Sequence, residues 1–380
     1  MAGAGGASSI VVVRRKPATT VYLTVDTELS SMHYRRHGAA GLDDNFATSI
    51  LGRTEGGDFG IVYQMERLDA HGLKGVFFVD PLVALVAGQV MVDRIVHPIL
   101  AAGHDVQLHA HGEWTELASP ALTEGRTGRN MADFSEDDQV RLLDFGIARL
   151  MAAGAPRPVA FRAGNYGAND DTLRALARVG IGYDSSYSPD YADTVCAISM
   201  EPGWALPVVR EGVIEVPVSA ISGPTGGSRH AQITALSAQE MIAALAYAAM
   251  NQHPSFTIVS HSFELLSRRR DRANRIVVKR FDRLCEVISA SPRLHAATYA
   301  SDPPEPVSSD RLVERLPHSL ARTLIRNGEQ AVSNGLYGEQ LGKIPVGAAA
   351  PAIRIGDRLV APLHRLGPLQ QIALDILMAV

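Results

Sequence analysis

Short, almost wholly apolar segments alternate with longer, helix-like segments along the first 300 residues. Runs rich in β-branched and aromatic residues predict strands buried on both faces, at residues 20–26, 75–80, 105–108, 158–162, 181–184, 213–217, 255–261 and 294–298. Apolar residues three and four positions apart predict intervening helices, at residues 59–71, 82–102, 135–153, 169–179, 237–249 and 271–289. This alternation predicts an α/β fold of parallel units, either a closed barrel or an open doubly wound sheet.

Three segments interrupt the alternation. Residues 29–57 and 117–136 have weak periodicity and predict long polar loops. After the Pro-rich residues 301–306 the chain changes character, which predicts a linker. We therefore divide the chain into a flexible leader (1–17), a barrel (18–300), and a linker with a C-terminal helical tail (301–380).

The tail allows two interpretations. Residues 311–326 carry four arginines among leucines, and residues 369–380 are apolar. One interpretation is a peripheral contact with a membrane or a protein through residues 311–380. The other is a helix packed back on the barrel.

Polar side chains stand where the predicted strands end. They are Asp26 and Glu28, His109 and His111, Arg162, Asp184, and His261. Carboxyl ends of parallel strands meet at one edge, where a β/α barrel builds its active site. No Gly-rich loop follows the first strand, so the sequence does not predict the nucleotide crevice of an open sheet.

Two histidines suggest a metal site. His109 and His111 are two residues apart and share one face of a strand. Two imidazoles at a strand end suit a borderline cation such as Zn²⁺. Glu113 could reach the same place if the chain turns at Gly112. The alternative is that these are polar residues at a strand end, satisfied by backbone or water.

Composition narrows the function classes. The chain has 380 residues and a net charge of −4, so no global charge favours nucleic acid. Its two cysteines are far apart and give neither a disulfide framework nor a cysteine zinc motif. No apolar run is long enough to span a bilayer. Near the N-terminus the basic residues follow a short apolar run, the reverse of a secretory signal, so we expect a cytoplasmic protein.

Four motifs together resemble those of the polysaccharide deacetylase family, the NodB-homology carbohydrate esterases. They are Thr-Val-Asp-Thr-Glu at 24–28, Gly-His-Asp-Val-Gln-Leu-His at 103–109, Phe-Arg with a following Tyr at 161–166, and Ser-His-Ser-Phe-Glu-Leu at 260–265. The resemblance covers residues 20–300. It implies a distorted β/α barrel of seven or eight strands and a divalent metal, with Zn²⁺ expected.

The resemblance also implies three catalytic residues. Asp26 corresponds to the base, Arg162 to the residue that orients it, and His261 to the general acid. The third motif has extra residues between its Arg and Tyr. Tyr166, Asn165 and Trp114 are the candidate substrate contacts, and a backbone N–H near the tyrosine is the candidate oxyanion donor.

The resemblance also implies the metal ligands. Glu28 and His109 match the family's carboxylate and first histidine. The family's usual second histidine lies four residues after the first, where this chain has Glu113. His111 is the nearer substitute, as in the His-x-His-x-x-Trp variant of some bacterial members, so whether His111 or Glu113 completes the site stays open.

These observations predict a metal-dependent hydrolase that removes an N- or O-acetyl group from a sugar or glycan precursor. For the N-acetyl group, the bond broken is a non-peptide C–N bond. Two alternatives keep the same fold. One is a non-catalytic protein that binds carbohydrate or scaffolds glycan assembly. The other is an amidohydrolase of small molecules.

Overall fold

The strands predicted from the sequence form one sheet. The computed structural model describes residues 19–338, apart from 119–121, 193, 202 and 309–313. The expected leader (1–17) and the apolar end of the tail (369–380) lie outside these described residues. The strands are β1 (Thr19–Thr27), β2 (Arg53–Thr54), β3 (Gly57–Asp58), β4 (Val76–Val79), β5 (Asp105–Ala110), β6 (Ala160–Ala163), β7 (Tyr183–Asp184), β8 (Val208–Arg210), β9 (Val213–Glu215), β10 (Ala220–Ser222), β11 (Ser228–His230), β12 (Ser255–His261) and β13 (Leu294–Ala297).

Helices fill most of the connections between these strands. They are α1 (Ser31–His37), α2 (Leu42–Ser49), α3 (Ile61–Ala70), α4 (Ala84–Ala87), α5 (Gln89–Ala101), α6 (Glu136–Ala152), α7 (Asp170–Val179), α8 (Ala238–Met250), α9 (Arg275–Ala290) and α10 (Leu320–Tyr337). None of the helices in the described part of the chain combines the length and apolarity needed to cross a membrane.

The main sheet runs in the order β12-β1-β4-β5-β6-β7-β9-β8, and β13 also pairs with β1. Every neighbouring pair is parallel except β8 with β9. The eight parallel strands are the eight that the sequence predicts. The short antiparallel edge strand β8 was not predicted.

An irregular segment closes the gap between the two ends of the sheet. Val216 donates its N–H to Asp184 O at 2.7 Å, beside β7. Three residues later, Ser219 donates to Thr257 O in β12 at 3.2 Å, and Thr257 N–H donates back to Ser219 Oγ at 2.9 Å. The sheet is therefore a distorted β/α barrel, as predicted, and not an open doubly wound sheet.

Helix α6 shows how the sequence builds the outer layer. Ser135 caps it by accepting from the N–H of Asp138. The helix buries one apolar stripe at Leu142, Leu143, Ile147 and Leu150, which joins the core cluster containing Leu108 of β5. Burying each of these side chains is worth roughly 1.5–3 kcal/mol relative to exposure, so the helical spacing decides which face meets the sheet.

Residues 29–57 were predicted as a loop, but they contain α1, α2 and the β2–β3 hairpin. Ser30 caps α1 by accepting from the N–H of His33 at 3.1 Å. The buried Asn45 of α2 bonds both the N–H and the C=O of Ser30, at 3.0 and 2.9 Å. Helix α1 buries none of its residues, so it leaves no apolar periodicity in the sequence.

The tail contains a helix packed back on the barrel, which is the second of the two interpretations that the sequence allows. Glu329 of α10 accepts from Arg280 of α9 at 2.6 Å, with both side chains at least nine-tenths buried. Asn274, at the start of α9, donates to Ser333 at 3.0 Å. Polar contacts therefore hold α10 in place.

We expect Glu329→Gln to lower the free energy of unfolding by about 2 kcal/mol, because it leaves the Arg280 charge buried without a counter-charge. Urea unfolding measures the change. The matched control is Glu286→Gln, which removes an exposed ion pair with Arg283 and should cost less than about 1 kcal/mol. Equal losses in the two variants would contradict a structural role for the buried pair.

Candidate active site

Strand register brings the predicted functional residues to one edge of the barrel. Asp26 of β1 is the direct neighbour of His261 of β12. His109 of β5 is the direct neighbour of Arg162 of β6. Because these strands are parallel, the four side chains meet at their carboxyl ends.

A buried ion pair lies at the centre of the site. The side chain of Arg162 is fully buried, and its Nη1 donates to Asp26 Oδ1 at 2.7 Å and to Thr24 Oγ1 at 2.7 Å. Its Nε and Nη2 donate to the carbonyl and hydroxyl oxygens of Ser185, both at 3.1 Å. Burial disfavours its charge, but Asp26 more than compensates and raises the pKa of Arg162. Asp26 therefore faces a permanent, rigidly held cation.

His261 lies on the other side of Asp26. Its Nε2 is 3.9 Å from Asp26 Oδ2, too far for a hydrogen bond, and its Nδ1 is 3.1 Å from Glu264 Oε2. Burial opposes a charge on this imidazole, but Glu264, with Asp26 and Glu28, raises the pKa of His261 to about 9. At neutral pH it is therefore an imidazolium with a proton on Nε2, facing the carboxylate.

Glu28, His109 and His111 form the candidate metal centre. One donor atom from each lies within 4.8 Å of the others. Glu28 Oε2 is 3.1 Å from His109 Nε2 and also contacts His111 Nε2. Burial opposes both charges, but the two histidines hold the pKa of Glu28 well below its ordinary value, and Glu28 first, with Glu113, raises the pKa of His111 well above its own.

The donor set fits a divalent cation. His109 Nδ1 is 2.7 Å from the carbonyl oxygen of Arg162, which can only accept, so Nδ1 carries the proton. In the neutral ring the lone pair on Nε2 then points at the Glu28 carboxylate, a repulsive arrangement unless a cation or a proton lies between them. Two imidazoles and one carboxylate with open positions are a ligand set typical of Zn²⁺.

Glu113, the alternative ligand, lies behind His111. Its Oε2 is 3.0 Å from His111 Nδ1, and its Oε1 accepts from Asn165 Nδ2 at 3.0 Å and lies 3.3 Å from Arg129 Nε. A carboxylate on the far ring nitrogen fixes the orientation of a metal-binding histidine and strengthens it as a ligand. Glu113 therefore contacts the far nitrogen of His111, while the donor atoms that cluster are those of Glu28, His109 and His111.

The three predicted substrate contacts differ in position. Asn165 and Tyr166 follow β6 in left-handed conformations, with φ of 57° and 58°. Tyr166 stacks on Tyr191 at 5.1 Å between ring centroids, and its buried hydroxyl has no hydrogen-bond partner among the described residues. Trp114 does not match the expectation: its side chain is fully buried and its Nε1 donates to Asp80 Oδ2 at 2.8 Å, so it supports the site from within.

Sequence reasoning missed several supporting residues. Glu264 falls inside the fourth motif but was given no role, although a carboxylate three residues after a histidine is a signal for such a pair. Its other oxygen accepts from Gln232 Nε2 at 2.6 Å and also contacts Thr234 Oγ1. Ser185 follows β7 without any motif. Asp184, predicted as a strand-end polar residue, is buried beside Glu215 of β9 and accepts a hydrogen bond from Ser186 Oγ at 2.6 Å.

No protein-family model matches the chain, and no curated protein matches it in sequence. Solved structures do match. A protein from Mycobacterium smegmatis named as a polysaccharide deacetylase is 18% identical over 80% of this chain and 98% of its own, with a TM-score of 0.48. A family 4 carbohydrate esterase from Streptomyces lividans, in complex with acetate, is 10% identical over 76% of this chain and 100% of its own, with a TM-score of 0.40.

A third match is a CE4 family pseudoenzyme from Bacillus anthracis, 10% identical over 80% of this chain and 71% of its own, with a TM-score of 0.37. These proteins carry names from the family that the motifs resemble. TM-scores below 0.5 denote a distant likeness and say nothing of the chemistry of this chain's own site.

We expect Gly164→Ala to weaken divalent-cation affinity at least tenfold without unfolding the protein. A Cβ at Gly164 would lie 2.6 Å from the His111 ring, so the ring must move. Isothermal titration with Zn²⁺ and thermal unfolding measure the two effects. The control is Gly182→Ala, whose Cβ meets no atom within 4 Å; a similar loss of affinity in both variants would contradict this role for the glycine.

Proposed function

We propose that the chain is a metal-dependent hydrolase that removes an N- or O-acetyl group from a sugar or glycan precursor. The observation that carries the proposal is the arrangement of Asp26 and His261, a carboxylate and an imidazolium 3.9 Å apart, beside the Glu28–His109–His111 cluster. A base, an acid and a cation-binding cluster in one cleft are the groups that amide hydrolysis requires. A cytoplasmic location stays a prediction.

A divalent cation held by Glu28, His109 and His111, with Zn²⁺ expected, would supply Lewis-acid polarisation of the acetyl carbonyl and lower the pKa of an attacking water. Asp26 takes a proton from that water as the new C–O bond forms. Arg162 keeps this carboxylate oriented, since it binds Oδ1 and leaves Oδ2 on the side of His261.

His261 completes the reaction. As the C–N bond breaks, the Nε2 proton of the imidazolium passes to the leaving nitrogen, because an amine leaves poorly as an anion. The products are then acetate and the free amine of the sugar. The left-handed backbone at Asn165 and Tyr166 is the proposed source of an N–H donor to the developing oxyanion, a contact worth roughly 10²–10³ in rate.

The test combines metal content with acetate release. We expect about one divalent ion per chain by elemental mass spectrometry and its loss in His109→Ala. Asp26→Asn should keep the metal and lose roughly 10²–10⁴-fold in kcat on an acetylated amino sugar, while Asp69→Asn, on an exposed pair with Lys74, should keep both. A protein that binds metal but releases no acetate from any acetylated sugar would refute the hydrolase and favour a carbohydrate-binding role.

The charge state of His261 predicts the alkaline limit of activity. An acid with a pKa near 9 is protonated below that pH, so the rate should fall as pH rises through about 9. Glu264→Gln removes the carboxylate that stabilises the imidazolium, so its pKa must fall and the alkaline limb should move to lower pH by about one unit or more. The pH profile of kcat measures this.

The control for the pH profile is Glu286→Gln, on the outer surface of α9. This variant should leave the pH of the alkaline limb unchanged. An alkaline limb that is unchanged in Glu264→Gln would contradict the assignment of His261 as the acid.

A further inference from the structure

A cavity of about 680 Å³ opens next to His261 and runs beneath α10. Its lining includes His261 and Glu264 and, from α10, Arg326, Gln330 and Asn334. Cavities of 300–1,000 Å³ are the usual size for small-molecule ligands. Because His261 faces the leaving nitrogen in the proposed reaction, the cavity lies on the side of the departing sugar.

The walls of this cavity are strongly cationic. Four arginines line it: Arg229, Arg268, Arg270 and Arg326. The one carboxylate in the lining is Glu264, which is already engaged by His261. Such an excess of guanidinium groups around a concave space favours an anionic occupant.

Two of these arginines belong to different elements and interact electrostatically. Arg229 belongs to β11 and Arg326 to α10. Burial and then the Arg326 charge lower the pKa of Arg229, and the carboxylates of Glu240 and Asp190 offset only part of that effect. Arg326 lies 3.3 Å from the buried Glu240. Within the described residues no carboxylate oxygen lies within 4 Å of a nitrogen of the Arg229 guanidinium. Holding like charges together costs free energy that a bound anion would recover.

Arg270 connects the cavity to the candidate metal centre. Its guanidinium carbon lies 3.7 Å from the centroid of the Phe263 ring, and its Nη1 donates to Ser49 Oγ at 2.7 Å. Burial lowers its pKa, while the Glu28 charge raises it. Arg270 is therefore a cation held in place in the cavity lining, and it interacts electrostatically with Glu28 of the candidate metal centre.

The helix above the cavity turns polar residues towards it. Arg326, Gln330 and Asn334 follow a spacing of four and form one stripe of α10, whereas Leu320 and Leu324 on this helix are exposed. A packed helix ordinarily buries its apolar stripe. This reversed polarity suits a hydrated cavity that binds a charged ligand and not an apolar one.

We infer that this cavity binds a phosphate group carried by the departing sugar, so that the substrate is a phosphorylated or diphosphate-linked acetylated sugar and not a neutral glycan. A phosphate carries a charge of about −1.5 to −2 and offers three acceptor oxygens, which matches several guanidinium groups around one space. The inference that the phosphate belongs to the departing sugar rests on the proposed function. The inference that the cavity binds phosphate does not depend on it.

The test compares ligands that differ by the phosphate alone. N-acetylglucosamine 1-phosphate and N-acetylglucosamine are titrated calorimetrically into the wild-type protein, with UDP-N-acetylglucosamine as a third ligand. We expect the phosphorylated sugar to bind at least tenfold more tightly, with a preference that shrinks as salt rises. A further gain with the UDP sugar would identify a nucleotide-linked source; no gain would favour a phosphate without a nucleotide.

Variants separate the cavity from other phosphate-binding groups. Arg229→Gln and Arg326→Gln should each reduce the preference at least fivefold and leave the affinity for the neutral sugar unchanged. Arg283→Gln, on an exposed pair, should leave it intact. His109→Ala should also keep the preference, so a failed hydrolase would not conceal a functional phosphate site.

Two results would overturn the inference. One is equal affinity of the wild-type protein for the phosphorylated and neutral sugars. The other is a preference that survives both arginine variants; its loss in His109→Ala would then place the phosphate at the candidate metal centre.

Discussion

The buried contact between Arg162 and Asp26 organises the site. The guanidinium holds the proposed base, and the backbone carbonyl of the same arginine fixes the proton of His109. One residue of β6 therefore sets both the carboxylate and the tautomer of a candidate metal ligand. Breaking such a pair by removing one partner leaves an uncompensated buried charge, at a cost of roughly 3–5 kcal/mol. Lysine could not replace this arginine, because its compact charge lacks the planar fork that reaches Ser185 and Asp26 together.

Much of the barrel and the candidate metal cluster could be predicted from the sequence. Strands β1 and β4 are buried along their whole length, so their residues are mostly apolar and the sequence marks them as strands. The candidate metal ligands can also be found in the sequence, because they lie at strand ends. Glu28 follows β1 closely, and His109 and His111 share a strand face. Because β1 and β5 belong to the same parallel sheet, these three residues meet at its carboxyl edge, and their proximity follows from the strand order alone.

Other features depend on contacts between distant segments. Helix α1 buries no residue, and β8 is a three-residue edge strand, so neither has a pattern to detect. The sequence left Glu113 as a possible ligand because only the packed structure shows it behind His111. The position of Trp114 after His111 does not reveal that its ring is enclosed by the core and bonded to Asp80. The arginine-lined cavity joins residues from β11, the loop after β12, and α10.

The pairing of β1 with β12 has a consequence for how the protein acquires its site. Thr20 pairs with Ser255 and Asp26 with His261, so the first strand of the barrel depends on a strand more than two hundred residues later. Contacts of such sequence separation pay a large loop-closure cost and form slowly. During synthesis the proposed base emerges early and waits, without its acid partner, until nearly the whole barrel has left the ribosome. The proposed chemistry is thus a late property of the folding chain, and incomplete chains would lack it.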